Sequence, residues 1–254
     1  MILFINILLF ALFVIIVGTG AGYLTVSIFN KIPAKWLVDY GEEVDEEAFK
    51  ENKLKFRNTG ILLSLLYFVI FTAMLFQYGF TLYLLILFIP CILLVIVGIS
   101  DKKYMIIPDQ LVVAIGITAV FLYALEIFET NMLGATPYFH FTFYSPLLGA
   151  LIGGGTIFAI GFIGSFLLKK EAMGFGDVKL LAAVGLLFGT YGILIVLILT
   201  ILTSGFYFIF LMLFKKLKRG DYQPLGPFIV AASVIYICLY DQVNYLIFLY
   251  MSQF

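Results

Sequence analysis

The sequence predicts an all-α, polytopic membrane protein of about eight transmembrane helices with one larger cytoplasmic loop. Three observations carry that reading. Hydrophobic residues make up 63% of the chain and charged residues only 12%, the mean hydropathy is +1.14, and apolar runs of about 20 residues, the length that crosses a bilayer, recur from end to end. Soluble domains carry roughly twice that share of charge, about 25%. The formal net charge is zero, so no basic field marks the chain for nucleic acid, and the lipid bilayer is its first partner.

Each span follows from a window of apolar residues. The windows fall near Ile5 to Ile28, Gly60 to Gln77, Leu82 to Ile99, Leu111 to Ile127, Ser145 to Leu168, Val178 to Leu187, Ile193 to Phe214 and Phe228 to Phe248. The sixth is short and shares a Gly-rich hairpin, Gly189-Thr190-Tyr191-Gly192, with the seventh. No internal repeat or low-complexity linker divides residues 1–254, which read as a single membrane-embedded domain. Met1 opens an apolar run without a basic leader or a small-residue cleavage site, so the first helix reads as retained. Threading the spans puts all 15 Lys and Arg on one face, while Glu126, Glu129 and Asp241 fall on or toward the other. By the positive-inside rule the basic face is cytoplasmic and both termini lie outside.

Two acids stand out at the edges of spans. Asp177 ends the turn Gly174-Phe175-Gly176-Asp177 and begins an apolar run, and Asp101 follows the third span. The same threading places both at cytoplasmic span ends. Peptide hydrolysis without a metal or a covalent nucleophile needs one ionised acid to activate water and one protonated acid to polarise the carbonyl. Two adjacent carboxylates supply that division, because like charges a few ångströms apart share a proton. Glycines at 174 and 176 would allow a tight turn and close approach of an extended substrate. A plainer reading stands beside this one: Asp177 and Asp109, in Ile107-Pro108-Asp109-Gln110, both occupy places where an Asp caps a helix N-terminus. Asp101 has no such excuse, since a negative charge at a helix C-terminus opposes the dipole; its plain alternative is a solvated loop residue beside Lys102 and Lys103.

Asp101 with Pro108-Asp109, followed by Gly174-Phe175-Gly176-Asp177-Val178-Lys179-Leu180, resembles the signature of the type IV prepilin leader peptidases. Pro224-Leu225-Gly226-Pro227-Phe228 resembles that family's Pro-Phe-Gly-Pro-Phe segment, Lys31-Ile32-Pro33 its entry into the cytoplasmic loop, and the likeness covers nearly the whole chain. The resemblance implies that Asp101 and Asp177 are a catalytic aspartyl pair, that Gly174 and Gly176 shape the active-site turn, and that Pro108 and Asp109 support it. It implies a prepilin or pilin-like substrate whose short basic leader is cut at the inner or plasma membrane. It also implies S-adenosylmethionine as methyl donor where the new N-terminus is methylated; proteolysis itself needs no cofactor.

Many members carry paired Cys-x-x-Cys motifs between the first two spans, a zinc-binding arrangement. This chain has two cysteines, Cys91 and Cys238, each alone inside a span, and His140 stands alone on an outer loop, so no zinc or other metal is expected. The loop 31–57 instead clusters acids at its centre. Glu42, Glu43, Glu46 and Glu47 are candidates for attracting a basic leader, against the alternative of a solvated linker. Rival readings of the whole chain are a transporter or channel, a Gly-x-Gly-Asp intramembrane protease with another substrate, and a structural scaffold. The sequence sets no oligomeric state.

Overall fold

The computed structural model describes residues 2–38, 53–134, 142–168, 174–214 and 223–252. The regular structure among those residues is all helical, with no strand. Among the described residues six helices are long and apolar enough to cross a membrane, seven if one bent pair counts as a span, roughly matching the expected number and making this a multi-pass membrane protein. The chain divides into two compact units, Met1–Phe88 with Ile237–Phe254, and Ile89–Tyr236.

In the first unit, α1 (Ile2–Lys31) packs along α2 (Phe56–Tyr78). The fit depends on missing side chains: a Cβ on Gly18 would stand 3.0 Å from the Phe68 backbone, and one on Gly22 would stand 2.5 Å from the Ser64 backbone nitrogen. Small residues let membrane helices approach until their backbones nearly touch, which is where packing energy in lipid comes from. Thr25 and Tyr67, both fully buried, share a 2.9 Å hydrogen bond across the pair. Helix α1 stops one residue before Ile32-Pro33, where proline disfavours helical geometry at its predecessor. Below it the Asn30 side chain bonds Leu54 twice, accepting its N–H at 2.8 Å and donating to its carbonyl at 3.1 Å. That clip fixes the two ends of the loop whose acids, Glu42, Glu43, Glu46 and Glu47, lie outside the described residues. Helix α2 ends at Gly79, whose φ of 62° only glycine adopts without strain.

The second unit holds most of α3 (Leu82–Tyr104), α4 (Asp109–Phe128), α5 (Ser145–Leu168), α6 (Phe175–Leu213) and most of α7 (Gly226–Cys238). Helix α3 runs five residues past the Ile99 boundary expected from hydropathy, so Asp101 lies inside its last turn rather than in a loop. The helix is closed by Met105 at a left-handed φ of 56°, with the Met105 N–H on the Asp101 carbonyl at 2.8 Å.

The sixth and seventh expected spans are the two halves of α6, which meet at Gly189 (φ 67°, ψ −171°). Gly189-Thr190-Tyr191-Gly192 is the turn between them, as the sequence predicts: a single Cβ on Gly153 would meet both the Leu181 carbonyl and the Ile193 side chain, which lie on opposite sides of the break, so the chain folds back there. A break inside a membrane helix strands a backbone donor. Here the Thr190 N–H finds the Ser145 hydroxyl at 3.1 Å, and the Thr190 hydroxyl returns a bond to the Ser145 carbonyl at 3.2 Å. The start of α5 therefore caps the break in α6. The expected eighth span is also broken, into α7 and α8 (Tyr240–Met251). Glu126, read as an outer marker, is buried in α4.

Candidate active site

Four helix ends of the second unit meet at the site. The last turn of α3 brings Asp101, the first turn of α4 brings Asp109, the first turn of α6 brings Asp177 and Lys179, and the first residue of α7 is Gly226. Packing along the helices sets this meeting. Gly98 of α3 lies against Val230 of α7, with its absent Cβ 3.4 Å from that side chain, and Gly116 of α4 faces Leu186 of α6. Helices α5 and α6 touch backbone to backbone at Gly149 and Gly185.

Asp101 and Asp177 are 5% and 6% exposed, and the charge of Asp101 acts on Asp177. The structure therefore brings together the two acids the sequence singled out. Neither is explained by capping or solvation. The α6 N-cap is Gly174, in extended geometry (φ −73°, ψ 135°), and Asp177 sits three residues on with no side-chain cap bond. Its Oδ1 is buried and has no hydrogen-bond partner. A buried polar atom left unsatisfied costs about 1–3 kcal/mol, a penalty that a purely structural acid has no reason to carry. Asp101 has one Oδ2 bond, from the Gly226 N–H at 2.9 Å.

The supporting residues take different places from those expected. The α4 N-cap is Pro108, not Asp109; the carbonyl of buried Pro108 accepts the N–H groups of Leu111 and Val112 at 3.0 and 3.3 Å. Asp109 instead receives Lys179 on both carboxylate oxygens at 2.8 Å, which ties the first turns of α4 and α6 together. Neither Gly174 nor Gly176 takes a positive φ. The structural need at Gly176 is space, because a Cβ there would stand 3.2 Å from Ile107.

Both members of the Asp109–Lys179 pair are about one-third exposed, at 36% and 31%, so the pair itself is worth roughly 0.5–1 kcal/mol. Its larger effect is on placement. For the hydrolysis expected of an aspartyl pair, Lys179→Met should lower kcat about tenfold with little change in KM, as misplacement of a nearby reactive group does, and Asp109→Lys with Lys179→Asp should recover part of it. A double-mutant cycle on kcat checks this; additive losses would show that the two residues act separately.

Sequence reasoning missed two residues of this site. Lys179 entered only as a cytoplasmic charge and as one letter of the signature, and Gly226 only as part of a motif. The available signal for Gly226 was a Gly-Pro pair opening an apolar run, a helix-start pattern. Among the described residues no group of three or more His, Cys, Asp or Glu side chains could hold a metal ion.

Residues 87–209 match the model of the type IV leader peptidase family, so the resemblance read from the sequence is borne out there. Asp101, Pro108, Asp109, Gly174, Gly176 and Asp177 all lie inside the matched segment and Gly226 lies beyond it. Among curated proteins, a prepilin leader peptidase/N-methyltransferase of Aeromonas salmonicida is 31% identical over 155 residues, covering 59% of this chain and 48% of that protein. The similarly named protein of Aeromonas hydrophila is 30% identical over 151 residues, with the same coverage. That of Xanthomonas campestris pv. campestris is 28% identical over 145 residues, covering 57% and 46%. The chain thus spans about half the length of the curated relatives it matches. No solved structure matches it.

Proposed function

With residues 87–209 identified as a type IV leader peptidase segment, we propose that this protein is a membrane aspartic endopeptidase that removes the leader from type IV prepilins or pilin-like proteins. One observation carries the reading: two nearly buried carboxylates, Asp101 and Asp177, are delivered by separate helix ends to one place inside the family-matched segment. Lys102, Lys103 and Lys179 stand beside them in sequence, which supports a reaction at the cytoplasmic surface. A prepilin held by its own apolar helix would bring its leader junction sideways to the pair.

The chemistry is that of a proton-sharing dyad. One carboxylate takes a proton from water as the water oxygen bonds to the scissile carbonyl carbon, and the other carboxyl gives its proton to the carbonyl oxygen. The tetrahedral intermediate then collapses. Its C–N bond breaks, the leaving nitrogen takes a proton, and the pair returns to one shared proton with one water consumed. The geometry carries hydrolysis alone, so no step is assigned to S-adenosylmethionine; methyl transfer enters from the names of the relatives.

The test is mass spectrometry of a prepilin co-inserted in membranes with the wild-type protein. Loss of the leader at a single bond is expected, and a methyl group on the new N-terminus would add the second activity. Intact substrate across several prepilins, with the protein correctly inserted, would overturn the reading.

A further inference from the structure

We propose that Gly226 is a positioning residue of this site: its N–H holds Oδ2 of Asp101 in place, so that Oδ1 is the oxygen turned to the reaction. The inference rests on the peptidase reading for its kinetic consequences, but the contact itself stands on geometry. Gly226 opens α7, and the first-turn N–H groups of a helix have no partner within the helix. In this turn those donors are nearly all used up. Pro227 has no N–H, and the Phe228 and Ile229 N–H groups both bond the Leu225 carbonyl, at 3.0 and 3.2 Å. The remaining donor, on Gly226, meets Asp101 Oδ2 at 2.9 Å across 125 positions of sequence.

The residue types on either side make this contact specific. A Cβ at position 226 would collide with Asp101 Oδ2 and stand 2.9 Å from its Cγ, so every other amino acid displaces the carboxylate. Proline at 227 removes the neighbouring donor, which leaves the carboxylate a single anchor and hence a single orientation. Pro224-Leu225-Gly226-Pro227 thereby acquires a physical role, one bond directed at one oxygen of Asp101. The need is sharp because Asp101 lies in the last turn of its own helix, where the backbone presents carbonyls rather than donors.

Two variants test the proposal in lipid nanodiscs. Gly226→Ala places a methyl group against the carboxylate. Replacing Gly226 with glycolic acid during cell-free synthesis exchanges only its N–H for an ester oxygen and adds no side chain. Both should lower kcat for prepilin cleavage by about 100-fold with KM within about threefold, the signature of a misplaced reacting group. Gly155→Ala, which adds a methyl group to open space, should stay at the wild-type rate. Infrared difference spectra of [4-13C]aspartate-labelled protein, wild type minus Asp101→Asn, isolate the Asp101 band, and that band should shift in both Gly226 variants. An ester variant with wild-type kcat, or an unmoved Asp101 band, overturns the proposal. A band that shifts while the wild-type protein cleaves no prepilin would sink the peptidase reading and leave the contact standing.

Discussion

Asp177→Asn is expected to insert and fold normally and to lose leader cleavage by at least about 10³-fold, near the upper part of what a positioned acid or base contributes. Asp101→Asn should do the same. Asparagine keeps the shape of the side chain and, at position 101, still offers an oxygen to the Gly226 N–H, so the 2.9 Å contact survives. What it cannot do is exchange a proton at that place. Folding should not suffer, because Asp177 is 6% exposed with an unsatisfied Oδ1, and removing a buried acid of this kind lifts a desolvation penalty. Thermal unfolding of the purified variants should therefore match or exceed the wild type while product formation disappears. Stability gained at the expense of activity is the usual mark of a site selected for chemistry. Retained turnover in either variant would contradict the assignment, and a variant that failed to insert would be recognised by its absence from the membrane fraction.

The spans were legible because lipid imposes a length and a composition that hydropathy reads directly. The acids were legible for the complementary reason: a carboxylate at the end of α3 works against the helix dipole, and the oddity marked Asp101. What the sequence could not display was partnership. Asp109 looks like a cap until Pro108 is seen to hold the cap position and Lys179, on α6, is seen to hold the carboxylate. Asp177 looks like a cap until Gly174 is found there. Gly226 shows nothing until α7 is laid beside α3. Each miss depends on a neighbour from another helix, and local pattern carries no information on that. Gly189 is the intermediate case: its glycine and the following Thr-Tyr-Gly announced the turn, but only Ser145, at the start of α5, explains how the Thr190 donor stays satisfied where the chain folds back.

Gly185→Ala should be the most damaging single-methyl change in the second unit. The Cβ would collide with the carbonyl oxygen and carbon of Gly149 and stand 2.8 Å from the Ala150 nitrogen, so the obstruction is all backbone. A side chain can rotate aside; a helix backbone can only move as a whole. Helices α5 and α6 would have to separate along their length, giving up the close approach that drives association in lipid. Overpacking of a tight interior costs about 1–3 kcal/mol, and this contact belongs at the upper end because Gly149 faces Gly185 and Gly189, and Gly153 faces Leu181, in the same seam. Gly60→Ala gives the contrast: its Cβ would meet the Tyr23 ring, a side chain free to swing, so a smaller loss is expected. Thermal unfolding in a single detergent should therefore rank Gly185→Ala well below Gly60→Ala, with Gly155→Ala unchanged. Because α6 carries Asp177 about two turns before Gly185, cleavage should fall with stability in the first variant alone. Equal melting of all three would show that the seam tolerates separation, and that the position of Asp177 is fixed by the Lys179–Asp109 tie and not by the glycine contact.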